Sequence, residues 1–226
     1  APAQKDKTMP STPDAPGIDA PKIDAVVFDI GRVLLEWEPE AYYDSRIGSE
    51  RRQQLFDAVP LHPVNLEIDR GAPFRQSIYD LAAQHPAWAE EIRWWHDNWV
   101  HMVPREIPHS VRLMHALQSA GIPVLALSNF GAETFDIACE RFPFLHDFDQ
   151  RFVSAHLKCV KPDPEIYAIL ERDSGFAPDQ LLFTDDRPEN IAAAQARGWH
   201  THLFETPAPF AARLVQEGLL TAEAAT

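Results

Sequence analysis

The sequence predicts an α/β protein: a parallel sheet covered by helices on both faces, with a helical segment inserted after the first strand. Three observations support this class. Short apolar runs alternate with helical segments from residue 108 onward, which is the pattern of a parallel sheet. Polar residues follow directly where several of these runs end, as expected at the carboxyl edge of such a sheet. Residues 42–103 contain no convincing strand and look helical throughout.

The first strand is the run from Ala25 to Phe28, whose apolar and β-branched residues are typical of a strand buried on both faces. It ends at Asp29, and Gly31 then allows the chain to turn sharply. Further strands are expected at Pro123–Leu127, Gln150–Ser154, Leu181–Thr184 and His200–Phe204. Helices are expected at Pro108–Ala120, at Ala132–Arg141, between Lys161-Pro162-Asp163-Pro164 and Gly175, from Pro188 up to Gly198, and near Phe210–Glu217.

The inserted segment predicts a separate helical cap. Ser49 suits a helix N-cap, and Pro73 and Pro86 suit first helical turns. Glu36 to Ala41 is interpreted as a hinge, and Asp69-Arg70-Gly71 as a turn within the cap. The expected helices are Ser49–Val59, Pro73–Gln84 and Pro86–Met102. The expected domains are a flexible tail at 1–21, a core at 22–41 and 104–226, and the cap at 42–103.

Composition excludes some classes of partner. With 20 basic and 34 acidic residues the formal charge is −14, which disfavours nucleic acid and anionic membranes but not a small phosphorylated molecule. Two cysteines are too few for a disulfide framework, so a reducing cytoplasm is expected. No apolar run is long enough to span a membrane. Met9 is a candidate native start, and the oligomeric state cannot be read from the sequence.

Four polar clusters sit at strand ends or before a helix: Asp29, Ser128-Asn129, Lys161 and Asp185-Asp186. Each alone is ordinary, as a helix cap, a surface lysine or a turn. Together they suggest one site, because the carboxylates offer hard oxygen ligands for Mg²⁺ while the lysine and the serine hydroxyl can hold phosphate oxygens. Backbone N–H groups at 129–131, where a helix begins, would add to an anion site.

These residues resemble the haloacid dehalogenase-like hydrolase superfamily. The resemblance rests on V-V-F-D-I-G-R-V-L at 26–34, L-S-N at 127–129, V-K-P-D-P-E-I-Y at 160–167 and F-T-D-D-R-P-E-N-I at 183–191, in the order and spacing of the four motifs of that superfamily. It covers residues 23–205. It implies a Rossmann-like core, with the helical segment as a cap placed after the first motif.

The resemblance also implies roles for these residues. Asp29 would be the nucleophile, and its carboxylate would bind Mg²⁺ together with the Gly31 carbonyl, Asp185 and Asp186. Ser128, with Asn129 and the backbone at Phe130 and Gly131, would bind the transferred group. Lys161 would neutralise charge on the nucleophile and the phosphate. Phosphoryl transfer needs mainly this positioning and charge stabilisation.

Gly31 departs from the usual phosphatase pattern, in which an Asp two residues after the nucleophile serves as general acid and base. Three hypotheses follow. A Mg²⁺-dependent phosphatase of a small phosphorylated metabolite fits every motif, because the sugar 1-phosphate phosphatase branch combines Asp-x-Gly with the double Asp. A 2-haloacid dehalogenase would explain Gly31 but not Asp185-Asp186. A catalytically weak binding module is the third.

The cap offers further candidates. Trp94, Trp95, His96 and Trp99 cluster on one expected helix, where the rings either form the core of the cap or line the substrate entrance together with His96. His62 and Asn65, in a stretch expected to be irregular, are alternatives. Arg32, three residues after the nucleophile, either touches the substrate or covers the end of the sheet.

Overall fold

The central feature of the fold is a five-stranded parallel sheet with the order β3-β2-β1-β4-β5. We analysed a computed structural model that describes residues 22–226, so the predictions of a flexible tail at 1–21 and of Met9 as the start fall outside the described residues. The strands are β1 (Ala25–Phe28), β2 (Val124–Ser128), β3 (Gln150–Val153), β4 (Leu181–Asp185) and β5 (His200–Leu203). The predicted fold class is confirmed, and each strand lies within one residue of its expected bounds.

Strand β1 lies at the centre, hydrogen-bonded to β2 on one side and to β4 on the other. Its residues alternate between two apolar layers, because successive side chains of a strand point to opposite faces. Val26 and Phe28 belong to one buried cluster, whereas Ala25 and Val27 belong to the other. The residue that follows, Asp29, is thereby held at the carboxyl edge of the most enclosed strand.

Eleven helices lie among the described residues. The first five, which follow β1 within residues 39–97, are α1 (Pro39–Ile47), α2 (Ser49–Ala58), α3 (Leu61–Asp69), α4 (Phe74–Gln84) and α5 (Ala89–Asp97). The others are α6 (Pro108–Ser119), α7 (Ala132–Arg141), α8 (Ser154–Leu157), α9 (Pro164–Ser174), α10 (Pro188–Ala196) and α11 (Pro207–Gln216). Helices α9 and α10 cover one face of the sheet, and α6 and α11 pack on the other.

Residues 39–102, here called the helical insertion, differ in detail from expectation. The interpretation of Glu36 to Ala41 as a hinge is wrong from Pro39 onward, because Pro39 occupies the first turn of α1. The stretch expected to be irregular is helix α3. The expected helix Pro86–Met102 is instead α5 flanked by two 3₁₀ turns, and it breaks at Asn98, whose backbone is not helical. At the other end of the chain, α11 begins three residues before the expected Phe210.

Aromatic rings fill the interior of the insertion. Trp95 is fully buried, with Trp37, Tyr43 and Phe56 packed around it. Its indole N–H donates to Asn65 Oδ1 at 3.0 Å. The apolar cluster of the insertion continues into the layer of the sheet that contains Phe28. The insertion is therefore packed against the sheet through a shared core.

None of the helices in residues 22–226 combines the length and the apolar character that crossing a membrane requires.

Trp95→Phe tests the polar contact inside this core. The smaller ring keeps most of the packing but leaves the half-buried Asn65 carbonyl without its donor, so we expect the free energy of unfolding to fall by ~0.5–1.5 kcal/mol. Chemical denaturation measures the change. Trp94→Phe is the matched control, because that ring is only partly buried. Equal effects of the two substitutions would contradict the assigned role of the Trp95 N–H.

Candidate active site

Asp29 is the point at which the predicted site residues meet. Its side chain is almost completely buried at the end of β1, and its Oδ1 accepts hydrogen bonds from the Ile30 N–H and from Ser128 Oγ, both at 2.7 Å. Lys161 Nζ lies 3.0 Å from the same oxygen. Burial raises the pKa of Asp29 to about 7, against the lowering effect of Lys161. The structure therefore brings the predicted nucleophile, serine and lysine together.

Lys161 is held between two carboxylates in the interior. Its ammonium group contacts Asp185 Oδ2 at 2.5 Å as well as Asp29. Burial works to lower the pKa of Lys161, but the charges of Asp185 and Asp29 outweigh it and the pKa is raised. The lysine is therefore a fixed cation at the carboxyl edge of the sheet.

The side chains of Ser128 and Asn129 bond to different residues. The Ser128 hydroxyl donates a hydrogen bond to Asp29. The Asn129 side chain forms two hydrogen bonds with the backbone of Lys161, donating to its carbonyl at 2.9 Å and accepting from its N–H at 2.7 Å. The Phe130 N–H donates to Ser154 Oγ. The side chain of Asn129 and the backbone N–H of Phe130, both predicted to bind substrate, thus have partners within the protein.

Three carboxylates fit a divalent cation. Asp29, Asp185 and Asp186 each present an oxygen within 4.8 Å of the others. Burial and the charge of Asp185 raise the pKa of Asp186. Asp185 already accepts from Lys161, Asn190 Nδ2 and the Arg187 N–H. Asp29 and Asp186 thus have oxygens better placed for a metal, and Asp185 is better suited to orienting Lys161.

Gly31 does not need the conformational freedom of glycine. Its φ is not positive, and a Cβ added there would meet nothing within 4 Å. The left-handed residue of this turn is Arg32, with φ 59°. A side chain is therefore compatible with position 31, and the missing carboxylate is a chemical difference rather than a steric one.

These residues line a cavity of about 620 Å³ between the carboxyl edge of the sheet and the helical insertion. Its charged floor consists of Asp29, Lys161 and Asp186, and its apolar wall includes Trp37, Leu66, Trp99, Val103 and Phe130. The remaining lining includes Gly31, Arg32, Glu40, His62, Asn65, Asp69, Ser128 and Asn129. The predicted substrate residue His96 is not part of this lining; it pairs with Asp97 and packs against Phe74.

Asp69 is a cavity residue that the sequence did not indicate as functional. It ends α3, in the turn identified only as a helix break, and nothing in that local pattern marks it as part of the site. Its carboxylate accepts from Asn65 Nδ2 at 3.2 Å. Burial, followed by the charge of Asp29, raises its pKa to about 8. Distant parts of the chain place it, so only the folded structure reveals it.

A turn of the insertion, residues 69–71, is fastened to the core. Ser154 Oγ donates to the Asp69 carbonyl at 2.6 Å, and Arg70 pairs with Asp163 at 3.0 Å. Gly71, with φ 105°, approaches so closely that a Cβ there would lie 2.8 Å from the Ala155 carbonyl oxygen. Only glycine suits this contact. The turn thereby fixes Asp69 on the wall of the cavity.

Comparison with known proteins agrees with this fold. The family model described as haloacid dehalogenase-like hydrolase matches residues 23–198, which is most of the chain. The protein belongs to this family of hydrolases, as the resemblance of its four motifs predicted.

Among characterised relatives, the chain is similar to the D-ribitol-5-phosphate phosphatase of Bacteroides thetaiotaomicron, with 24% identity over 188 residues, covering 78% of this chain and 89% of the relative. It is also similar to the sesquiterpene phosphatase astK of Aspergillus oryzae, with 26% identity over 175 residues, covering 77% and 86%. Both names are those of phosphatases.

Among solved structures, a family enzyme of Bacteroides thetaiotaomicron in complex with magnesium and inorganic phosphate has a TM-score of 0.64 at 22% identity, covering 81% of this chain and 95% of its own. Enzymes named as dehalogenases are similar in fold as well. At these identities the likeness concerns the fold alone.

Asp186→Asn tests the cation site, because we expect it to raise the melting temperature without metal and to reduce the stabilisation by Mg²⁺. Removing one of three crowded carboxylates relieves repulsion, so we expect the metal-free protein to melt at a higher temperature. The stabilisation by Mg²⁺, about 2.7 kcal/mol at a hundredfold excess over Kd, should be largely lost. Scanning calorimetry with and without Mg²⁺ measures both.

Asp179→Asn is the control for that experiment, because Asp179 is exposed and lies outside the cavity lining. An Asp186→Asn protein that responds to Mg²⁺ as the wild type does would rule out this carboxylate as a ligand.

Proposed function

We propose that this hydrolase is a Mg²⁺-dependent phosphomonoesterase that acts on a small phosphorylated metabolite through an aspartyl-phosphate intermediate. The observation that carries the proposal is Lys161, held between Asp29 and Asp185 with the Ser128 hydroxyl on the same Asp29 oxygen. A fixed cation, a hydroxyl and a carboxylate nucleophile around one point are what the transfer of a dianionic phosphoryl group requires.

Each residue has a distinct task in this proposal. Asp29 attacks phosphorus and forms the covalent intermediate, which water then hydrolyses. Lys161 lowers the cost of bringing the phosphate dianion against the carboxylate, and Ser128 orients that carboxylate by its hydrogen bond. Asn129 keeps Lys161 in position through the backbone. Mg²⁺, held by Asp29 and Asp186 with the Gly31 carbonyl, would neutralise negative charge on the transferred group.

The helical insertion is proposed to be the substrate-selecting cap. Its residues supply much of the cavity above the charged floor, with polar groups at His62 and Asn65 beside the apolar wall of Leu66 and Trp99. Such a mixed wall suits a small organic alcohol, whether a polyol or a more apolar one. The phosphatase names of the relatives, one for a sugar alcohol phosphate and one for a sesquiterpene, support this class of substrate.

The reducing cytoplasm is the proposed location. Both cysteines, Cys139 and Cys159, are buried free thiols, and burial raises the pKa of each. Unreactive thiols of this kind need no oxidising compartment.

Hydrolysis of 2-haloacids is the second candidate, favoured by one observation. Gly31 leaves the usual acid position without a carboxyl, and a halide departs without needing a proton. The crowded carboxylates at Asp185 and Asp186 favour the phosphatase, because a dehalogenase has no use for a cation there. Release of halide without added metal, and no release of phosphate with it, would establish the alternative instead.

Asp29→Asn tests the nucleophile. We expect phosphate release from an ester panel in Mg²⁺ to fall below a few per cent of the wild-type rate, because an amide cannot form the intermediate. The fold should remain, as judged by the melting temperature. Asp24→Asn is the matched control at the opposite end of the same strand, where the side chain bonds Gln180. Substantial activity in Asp29→Asn would disprove the assignment.

A further inference from the structure

We propose that Asp69, a residue of the helical insertion, protonates the leaving oxygen and later deprotonates the attacking water, in place of the carboxylate that position 31 lacks. This inference rests on the proposed phosphatase function. The group that transfers the proton would then lie at the end of α3, whereas the nucleophile Asp29 lies at the end of β1.

The location of Asp69 supports the assignment. In an in-line displacement the leaving oxygen departs from phosphorus on the side opposite the nucleophile. Asp29 attacks from the floor at the sheet edge, and Asp69 lies on the cavity wall that the insertion adds to that floor. Asp69 lines the same cavity as Asp29, Lys161 and Ser128, the groups of the reacting centre.

Asp69 is also held rigidly, as an acid catalyst must be. Its carbonyl accepts from Ser154 Oγ, which in turn accepts from the Phe130 N–H of the loop after β2. Its carboxylate accepts from Asn65, which Trp95 orients. Contacts to both the core and the insertion therefore fix the carboxyl.

Protonation at neutral pH fits the same role. Burial and the neighbouring Asp29 raise the pKa of Asp69 to about 8, so its carboxyl retains a proton to donate. The other titratable groups that the insertion contributes to the lining are less suitable. Glu40 pairs with His62 at 3.4 Å, and chiefly this contact lowers the pKa of Glu40 to about 2. His62 itself is half-exposed.

Asp69 loses its proton in the first step of a turnover and regains one in the second. In the first step Asp29 forms a bond to phosphorus, the bond from phosphorus to the ester oxygen breaks, and the Asp69 proton goes to that oxygen to release the alcohol. In the second step water attacks the phosphorus of the intermediate, the bond from the Asp29 oxygen to phosphorus breaks, and the Asp69 carboxylate takes a proton from the water. Orthophosphate leaves, and both aspartates return to their starting states.

The test compares an alkyl phosphate with an aryl phosphate in wild type and Asp69→Asn. An alkyl oxygen needs a proton to leave, whereas a nitrophenolate does not. We measure kcat/KM, because it reports the first step alone and not the hydrolysis of the intermediate that both esters share. We expect kcat/KM on the alkyl ester to fall by ~10²-fold or more and kcat/KM on the aryl ester by less than ~10-fold, within the usual contribution of a general acid. Glu67→Gln, an exposed carboxyl-to-amide change on the same helix, is the control.

A second variant separates proton transfer from a structural role. Because a side chain at position 31 meets no obstacle, Gly31→Asp can supply a new acid. We expect Gly31→Asp added to Asp69→Asn to regain at least ~10-fold on the alkyl ester only. A residue needed merely for packing or substrate binding would not be rescued in this way.

Equal losses on the two esters, or an unchanged rate on the alkyl ester in Asp69→Asn, would overturn the role of Asp69 while leaving the phosphatase in place. A selective loss on the alkyl ester in His62→Gln rather than in Asp69→Asn would also overturn it. A wild type that releases phosphate from neither ester in Mg²⁺ would disprove the proposed function, and this inference with it.

Discussion

The ion pairs of Lys161 are the interaction on which the rest of the site depends. An ammonium group with almost no solvent contact is stable only if carboxylates surround it, and breaking such a buried pair typically costs ~3–5 kcal/mol. Asp29 and Asp185 supply that charge from the ends of adjacent strands, β1 and β4. The same arrangement leaves Asp186 beside two other carboxylates. The stability of the core and the chemistry of the site are therefore set by one group of charges.

The helical insertion and the sheet edge together form the cavity. The sheet edge alone provides a charged floor, whereas the insertion adds an apolar wall and the carboxyl of Asp69. Residues 69–71 attach it to the core through three specific contacts. The Ser154 hydroxyl bonds to the Asp69 carbonyl, Arg70 pairs with Asp163, and Gly71 lies too close to the core for a side chain. In the proposed mechanism, the segment that selects the substrate also carries the proton-transfer group, because this attachment fixes its position relative to the nucleophile.

The sequence predicts the sheet well, because each strand is a short apolar run and the polar residues at its end mark the carboxyl edge. It also predicts that Asp29, Ser128 and Lys161 meet. The insertion is predicted less well: α3 was expected to be irregular, since Pro63 obscures a helix start, and the non-helical backbone at Asn98 has no strong sequence signal. Asp69 could not be found, because residues 85 and 93 positions away along the chain, Ser154 bonded to Asp69 and Asp163 paired with Arg70, position the turn that carries it. The freedom attributed to Gly31 belongs instead to Arg32.

Trapping the covalent intermediate tests the central claim most directly. The protein would be mixed with a ³²P-labelled phosphate ester in Mg²⁺, quenched in acid within milliseconds and digested for peptide mapping. We expect acid-stable, hydroxylamine-sensitive label on the peptide that contains Asp29, and no label in Asp29→Asn, which cannot form the intermediate. Rapid product formation without label, or label on another residue, would contradict that claim.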